Sequence, residues 1–142
     1  MSRAVYPTAQ DAENAFYEAL ERCDLDGMMA VWAEDEEIVC VHPGGPRLTG
    51  QDQVRESWAK IFAGGPRARL SVTQQVAISA MMITVHSVQE NFSVQDAPAV
   101  PVVATNVYLR GAAGWRMIVH HASPAPAQPQ PAPRAGAPKL LH

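Results

Sequence analysis

Ala12, Phe16, Ala19, Leu20 and Cys23 recur at intervals of three and four, the spacing that puts side chains on one face of a helix. Thr8, with Asp11 three residues on in place of the usual Glu, forms a capping-box pattern just after Pro7. A first helix is therefore expected from about Thr8 to about Arg22. Asp24 can cap a second, shorter helix in which Leu25, Met28, Met29 and Trp32 share a face. Gly27 falls in its first turn, where glycine costs less than in mid-helix. The acidic run Glu34 to Glu37 breaks the pattern and reads as a solvated turn. Ile38 to Val41 is a short apolar strand that ends in the loop Pro43-Gly44-Gly45-Pro46. Thr49 and Asp52 repeat the capping pattern ahead of a third helix, with Val54, Trp58, Ile61 and Phe62 on one side. Gly64-Gly65-Pro66 stops that helix.

From Leu70 the period changes to two. Leu70, Val72, Val76 and Ile78 alternate with Ser71, Thr73, Gln75 and Ser79, and Met81 to Val94 is long and rich in β-branched residues. Val102 to Arg110 and Trp115 to Ala122 make two further strands, joined by Gly111-Ala112-Ala113-Gly114 as a hairpin turn. Helices first and strands afterwards indicate a segregated α+β domain. After Ser123 the composition shifts to proline, alanine and glutamine, which have almost nothing to bury, so residues 124–142 read as an extended tail with polyproline character. A proline-rich ligand for a partner domain is the alternative for that tail. The expected organisation is a lead-in over 1–7, a domain over 8–123 and the tail.

Bulk properties narrow the function classes. A length of 142 residues, 47% of them hydrophobic, suits one domain with a core of useful size. The formal net charge is -3 and no Lys/Arg-rich stretch is present, which argues against nucleic acid as a partner. No apolar run approaches the roughly 20 residues that a membrane helix needs. The N-terminus lacks the continuous apolar segment of a secretory signal. Cys23 and Cys40 are the only cysteines and read as free thiols in a cytoplasmic protein.

Three segments carry a resemblance. Asp24-Leu25-Asp26-Gly27-Met28-Met29-Ala30-Val31-Trp32-Ala33-Glu34-Asp35 is a helix ending in an aromatic and an acid. Val41-His42-Pro43-Gly44-Gly45-Pro46-Arg47-Leu48-Thr49-Gly50 is an H-P strand end followed by a loop and a glycine. Thr105 to Arg110 with Gly114 to Ser123 is a terminal hairpin. In this order, over roughly residues 10 to 123, they resemble the SnoaL-like branch of the nuclear transport factor 2 / ketosteroid isomerase superfamily. The resemblance implies a cystatin-like cone, three N-terminal helices packed on a strongly curved antiparallel sheet around an internal apolar pocket. It also implies a homodimer through the outer sheet face and, in the enzymes of the superfamily, chemistry without metal or organic cofactor.

Mapped through that resemblance, His42 stands where isomerase-like enzymes place a carboxylate base just before a proline, and an imidazole can shuttle a proton there. Asn106 stands where a protonated acid donates to a developing enolate oxygen. The other reading of each is structural: His42 bonding the glycine-rich loop, Asn106 satisfying backbone or water. The tyrosine of the isomerase oxyanion hole falls on Phe16, which cannot donate, and Tyr17 is some 100° further round the helix, facing away. True ketosteroid isomerase activity is not expected. Phe16, Trp32, Trp58, Tyr108 and His120 are the expected pocket-lining residues, with core packing the alternative for the tryptophans. His120 and His121 must point to opposite sheet faces, one inward with Asn106 or at a dimer interface, the other solvated. His86 reads as a strand-surface residue. No local histidine spacing supports a metal site, and no cofactor is expected.

Three functions stay open: a cofactor-independent isomerase, cyclase or dehydratase acting on a small hydrophobic carbonyl compound through His42; a non-catalytic pocket for a small hydrophobic ligand; and a dimeric assembly domain.

Overall fold

The computed structural model describes residues 4–64, 68–94 and 100–126. Most of the expected tail, residues 127–142, lies outside the described residues. Helix α1 spans Ala9–Arg22 and is capped as its sequence dictates: the Thr8 hydroxyl accepts from the Asp11 N–H at 3.0 Å, and Asp11 accepts from the Thr8 N–H at 3.2 Å. Cys23 closes it in a left-handed conformation, φ 56°. Asp24 then caps α2 (Leu25–Val31) by accepting from the Gly27 N–H at 3.0 Å.

Two short strands follow, β1 (Val39–Val41) and β2 (Arg47–Thr49), before α3 (Gly50–Ala63). The second capping box does not form. Thr49 makes no side-chain cap; its N–H donates to Gln53 instead, at 3.0 Å. Ile61 also leaves the expected apolar face of α3 and is 44% exposed, while Val54 and Trp58 are buried. Four long strands complete the chain: β3 (Arg69–Ser79), β4 (Ile83–Ser93), β5 (Val100–Gly111) and β6 (Gly114–Pro124).

The six strands form one sheet in the order β2-β1-β6-β5-β4-β3. One pairing departs from the expected antiparallel sheet: β1 runs parallel to β6, so the sheet is mixed. The physical reason is connectivity. The excursion through α3 and β3 to β5 lets the chain re-enter beside β1 from the same end, and a crossover of that length permits parallel pairing. The helices pack on one face of the sheet. Between them and the sheet lie Phe16, Met28, Val31, Trp32, Val54, Trp58, Tyr108 and Met117, all buried. None of the helices among the described residues is long and apolar enough to cross a membrane.

The β5–β6 turn is fixed by Gly114. Its φ is +96°, and a Cβ there would stand 2.7 Å from the Tyr6 carbonyl oxygen, which accepts from the Trp115 N–H at 2.9 Å. Gly114→Ala meets both a left-handed backbone and a backbone clash. Urea denaturation should show a loss of more than about 1 kcal/mol. An unchanged midpoint would mean that the Tyr6 lead-in is not docked against the turn.

Candidate functional site

The sheet register places three polar residues side by side. His86 pairs with Asn106, and Asn106 with His120, across β4, β5 and β6. Their side chains share the face beneath the helices, where all three are buried. On the same face of β4, two residues from Val88, stands Glu90, also buried. From above, α1 contributes Glu13 and Tyr17, four residues apart and so stacked on one side of the helix. The buried stripe of α1 is broader than the sequence pattern suggests, taking in Ala9, Ala12, Glu13, Phe16, Tyr17 and Ala19. Phe16 and Tyr17 therefore both point inward. This corrects the expectation that Tyr17 faces away.

Hydrogen bonds join these groups into a chain. The Tyr17 hydroxyl donates to Glu90 at 2.6 Å and accepts from the Asn106 amide at 2.9 Å. The same amide nitrogen reaches Glu13 at 3.3 Å. The Asn106 carbonyl oxygen lies 2.6 Å from His120 Nδ1, which must carry the proton because a carbonyl only accepts. In the ring that burial keeps neutral, His120 Nε2 is the bare nitrogen, and it faces Glu90 at 4.0 Å. Glu13 in turn receives Gln75 Nε2 at 2.7 Å and pairs with His86 Nδ1. Gln75 reaches in from a bulge of the edge strand β3. Gln74 and Gln75 there face a single residue of β4, and Gln74 is held at φ 55°.

Burial dominates the electrostatics. It raises the Glu90 carboxyl to about 7, further helped by Glu13 and opposed by the Tyr17 hydrogen bond. It lowers His120 to about 3, so that ring stays neutral. Tyr17 and Tyr108 are pushed upward by the same cause and remain phenols.

The residues singled out in the sequence fall in two places. Asn106 and His120 belong to the buried network. His42 stands apart at the end of β1, with Nε2 3.0 Å from Ser57 Oγ and its ring 4.6 Å from that of Trp58. Because the Ser57 hydroxyl donates to the Val54 carbonyl at 2.7 Å, His42 Nε2–H is the donor to Ser57. Burial lowers the His42 pKa. Cys40, beside it, is a thiol pushed up to about 12. Phe16, Trp32, Trp58 and Tyr108 occupy the space between helices and sheet; Phe16 packs edge-on against Trp32 and Trp58 at 6.4 and 5.7 Å, where an apolar pocket was expected. His86 is a correction: it is buried on the inner face, not on the strand surface. Among the described residues, no three His, Cys, Asp or Glu side chains converge on a metal site.

Clefts open at the margins instead. One of about 490 Å³ lies between α1 and β3 and reaches Glu13 and Tyr17, with Gln75 on its wall. Another of about 320 Å³ reaches His86. The opposite face of the sheet carries the row Ile78, Val85, Val107 and Val119, paired one to the next across four strands. Ile78 is 65% exposed and Val76, on the same face, 57%.

A family model described as the SnoaL-like domain matches residues 10–128. The chain belongs to the SnoaL-like family. Among solved structures, it is 43% identical to a protein of Thiobacillus denitrificans named for the association domain of calcium/calmodulin-dependent protein kinase type II. That match covers 86% of this chain and 98% of the other, with a TM-score of 0.82. It is 31% identical to a Streptomyces avermitilis protein named as a dehydratase of the NTF2-like family, over 82% and 93% of the two chains, with a TM-score of 0.74. A Parabacteroides distasonis protein named for ketosteroid isomerase shares the fold at 19% identity, over 82% and 87% of the chains and with a TM-score of 0.69. None of the curated proteins matches.

In this SnoaL-like domain the two titrations oppose each other. Glu90 is raised on folding, so its contribution to stability is full below about 4.5 and is lost as pH rises through about 7. His120 is lowered from 6.5 to about 3, so its contribution is full above 6.5 and is lost as pH falls toward 3. Replacing Glu90 with Gln should remove the first and leave the second. Denaturation from pH 4 to 8 should then show the stability of the variant, relative to the wild-type protein, climbing with pH. A constant difference would refute the raised carboxyl.

Proposed function

We propose that this SnoaL-like domain is a self-association module in which two copies pack through the outer face of the sheet. The observation that carries the reading is the apolar row Ile78, Val85, Val107 and Val119 across β3 to β6, with Ile78 exposed and the valines half-buried, on the face that none of the described helices packs against. Strands of 11 or 12 residues, rising about 3.3 Å per residue and spaced about 4.8 Å apart, make a face on the order of 700 Å² in plan. That is close to the roughly 800 Å² each partner contributes to an interface of ordinary size. An exposed apolar patch of this kind marks an interaction surface. The name of the relative at 43% identity, an association domain, supports the same reading. Light scattering behind a sizing column at micromolar concentration should give about twice the 15.3 kDa chain mass. Ile78→Lys with Val107→Lys should give the mass of one chain, about 15.3 kDa, with unchanged circular dichroism. A wild-type monomer would end the proposal.

A second reading is favoured by one observation inside the domain: a carboxyl poised near 7 and bonded to a buried phenol. Groups near neutrality in an apolar shell suit proton transfer without a cofactor. In this reading the Tyr17 O–H turns from Glu90 to the carbonyl oxygen of a small hydrophobic substrate, while Glu90 takes a proton from the carbon beside that carbonyl and returns it. His42 is joined to these groups by no hydrogen bond among the described residues, so the shuttle assigned to it passes to Glu90. Deuterium exchange into a small ketone in D2O, followed by NMR, should be lost in Glu90→Gln and kept in His42→Ala. Loss on replacing His42 alone would return the role to the imidazole.

A further inference from the structure

We infer that the corner where the Gln75 carboxamide sits is a binding site for a small primary ammonium group, with Gln75 as its built-in occupant. Gln75 is an exposed edge-strand residue, yet its side chain turns inward. Its Nε2 lies 2.7 Å from Glu13 Oε2, 3.0 Å from Gln10 Oε1 and 3.4 Å from His86 Nδ1. The two oxygens are acceptors at hydrogen-bond distance, and one belongs to a buried carboxyl. A planar amide meets them with two neutral N–H groups. An ammonium would meet the same two oxygens with charge-assisted hydrogen bonds, which are roughly twice as strong.

The charge inventory points the same way. Glu13 and Glu90 are both buried, and among the described residues their only ion-pair partners are His86 and His120, the second held neutral by burial. Among the described residues no lysine or arginine pairs with either. Access is already present, because the clefts of about 490 and 320 Å³ are both lined by Gln10 and approach Glu13 from one side and His86 from the other. The device that would yield is also visible. Gln75 stands on a bulge beside Gln74, whose φ of 55° is costly for a residue other than glycine. Swinging Gln75 outward leaves Glu13 held by Asn106 and His86 and frees the place of one donor.

The inference is independent of self-association and of any turnover at Glu90, and its test reads binding alone. Ethylammonium chloride is the probe, titrated by calorimetry against the full chain, with tetramethylammonium chloride as the control that has charge but no N–H. Gln75→Ala removes the competing occupant and should bind ethylammonium at least about tenfold more tightly than the wild-type protein, as expected if displacement costs one or two net hydrogen bonds. Adding Gln10→Ala, a surface change that leaves the fold intact, should weaken that binding severalfold. Adding Glu13→Gln should abolish it. Equal affinity in the wild-type protein and Gln75→Ala, equal binding of tetramethylammonium, or no saturable binding to Gln75→Ala would each overturn the inference.

Discussion

Two carboxyl groups sit inside the space between α1 and the sheet, and each must be met there by donors or give up its charge. Glu13 is met: Asn106, Gln75 and His86 converge on its two oxygens. Glu90 has the Tyr17 phenol and a histidine nitrogen 4.0 Å away, and it yields by holding its proton up to about neutrality. Asn106 is the residue that makes both solutions compatible. Its amide serves Tyr17 and Glu13 while its carbonyl fixes the His120 tautomer. An aspartate there would have no N–H to give and would add a third acid to the interior. The buried network thus depends on one carboxamide in the middle of β5.

The constraint also explains why the sheet is dressed inside out. Along β4, β5 and β6 the inner row is His86, Asn106 and His120, while the adjacent outer row is Val85, Val107 and Val119. In a half-solvated antiparallel sheet the apolar alternation faces the core. Here part of it faces away, because the strand positions under α1 are taken by the groups that satisfy its Glu13 and Tyr17. A sheet that spends inner positions on polar groups carries apolar ones outside, and those remain wet until another surface covers them. The polar interior and the proposed self-association are therefore two consequences of one register.

That inversion marks the limit of what the sequence made legible. The helices were readable because their caps are local chemistry: Thr8, Asp11 and Asp24 name the starts of α1 and α2, and Gly111 and Gly114 name the last hairpin. The SnoaL-like assignment followed from motif order. What failed required tertiary knowledge. Thr49 offers the same pattern as Thr8, but its backbone N–H was claimed by Gln53. The apolar stripe through Phe16 points Tyr17 outward, whereas the buried face of α1 is wide enough to take in both. His86 and Glu90 were passed over because a polar residue in a strand is read as solvent-facing; in β4, Ile83 and Val85 fall on one parity and Val88 and Phe92 on the other, so alternation alone cannot choose the face. Glu13 carries the same ambiguity, an acid in mid-helix whose burial only the fold discloses.

His42 shows the converse, a residue that stands out by motif and lies outside the buried network. The proline after it ends β1, and the loop beyond it returns the chain as β2 ahead of α3, which brings Ser57 to its ring. Ser57 spends its only proton on Val54, so the imidazole must donate, and burial lowers its pKa. Such a histidine clamps β1 to α3 and fills space against Trp58. Glu90, with no motif around it, is the group whose protonation state lies within reach of neutral pH. In the proton-transfer reading proposed above, the acid–base position moves from a strand end to a strand centre, where the sheet register delivers a phenol and an amide.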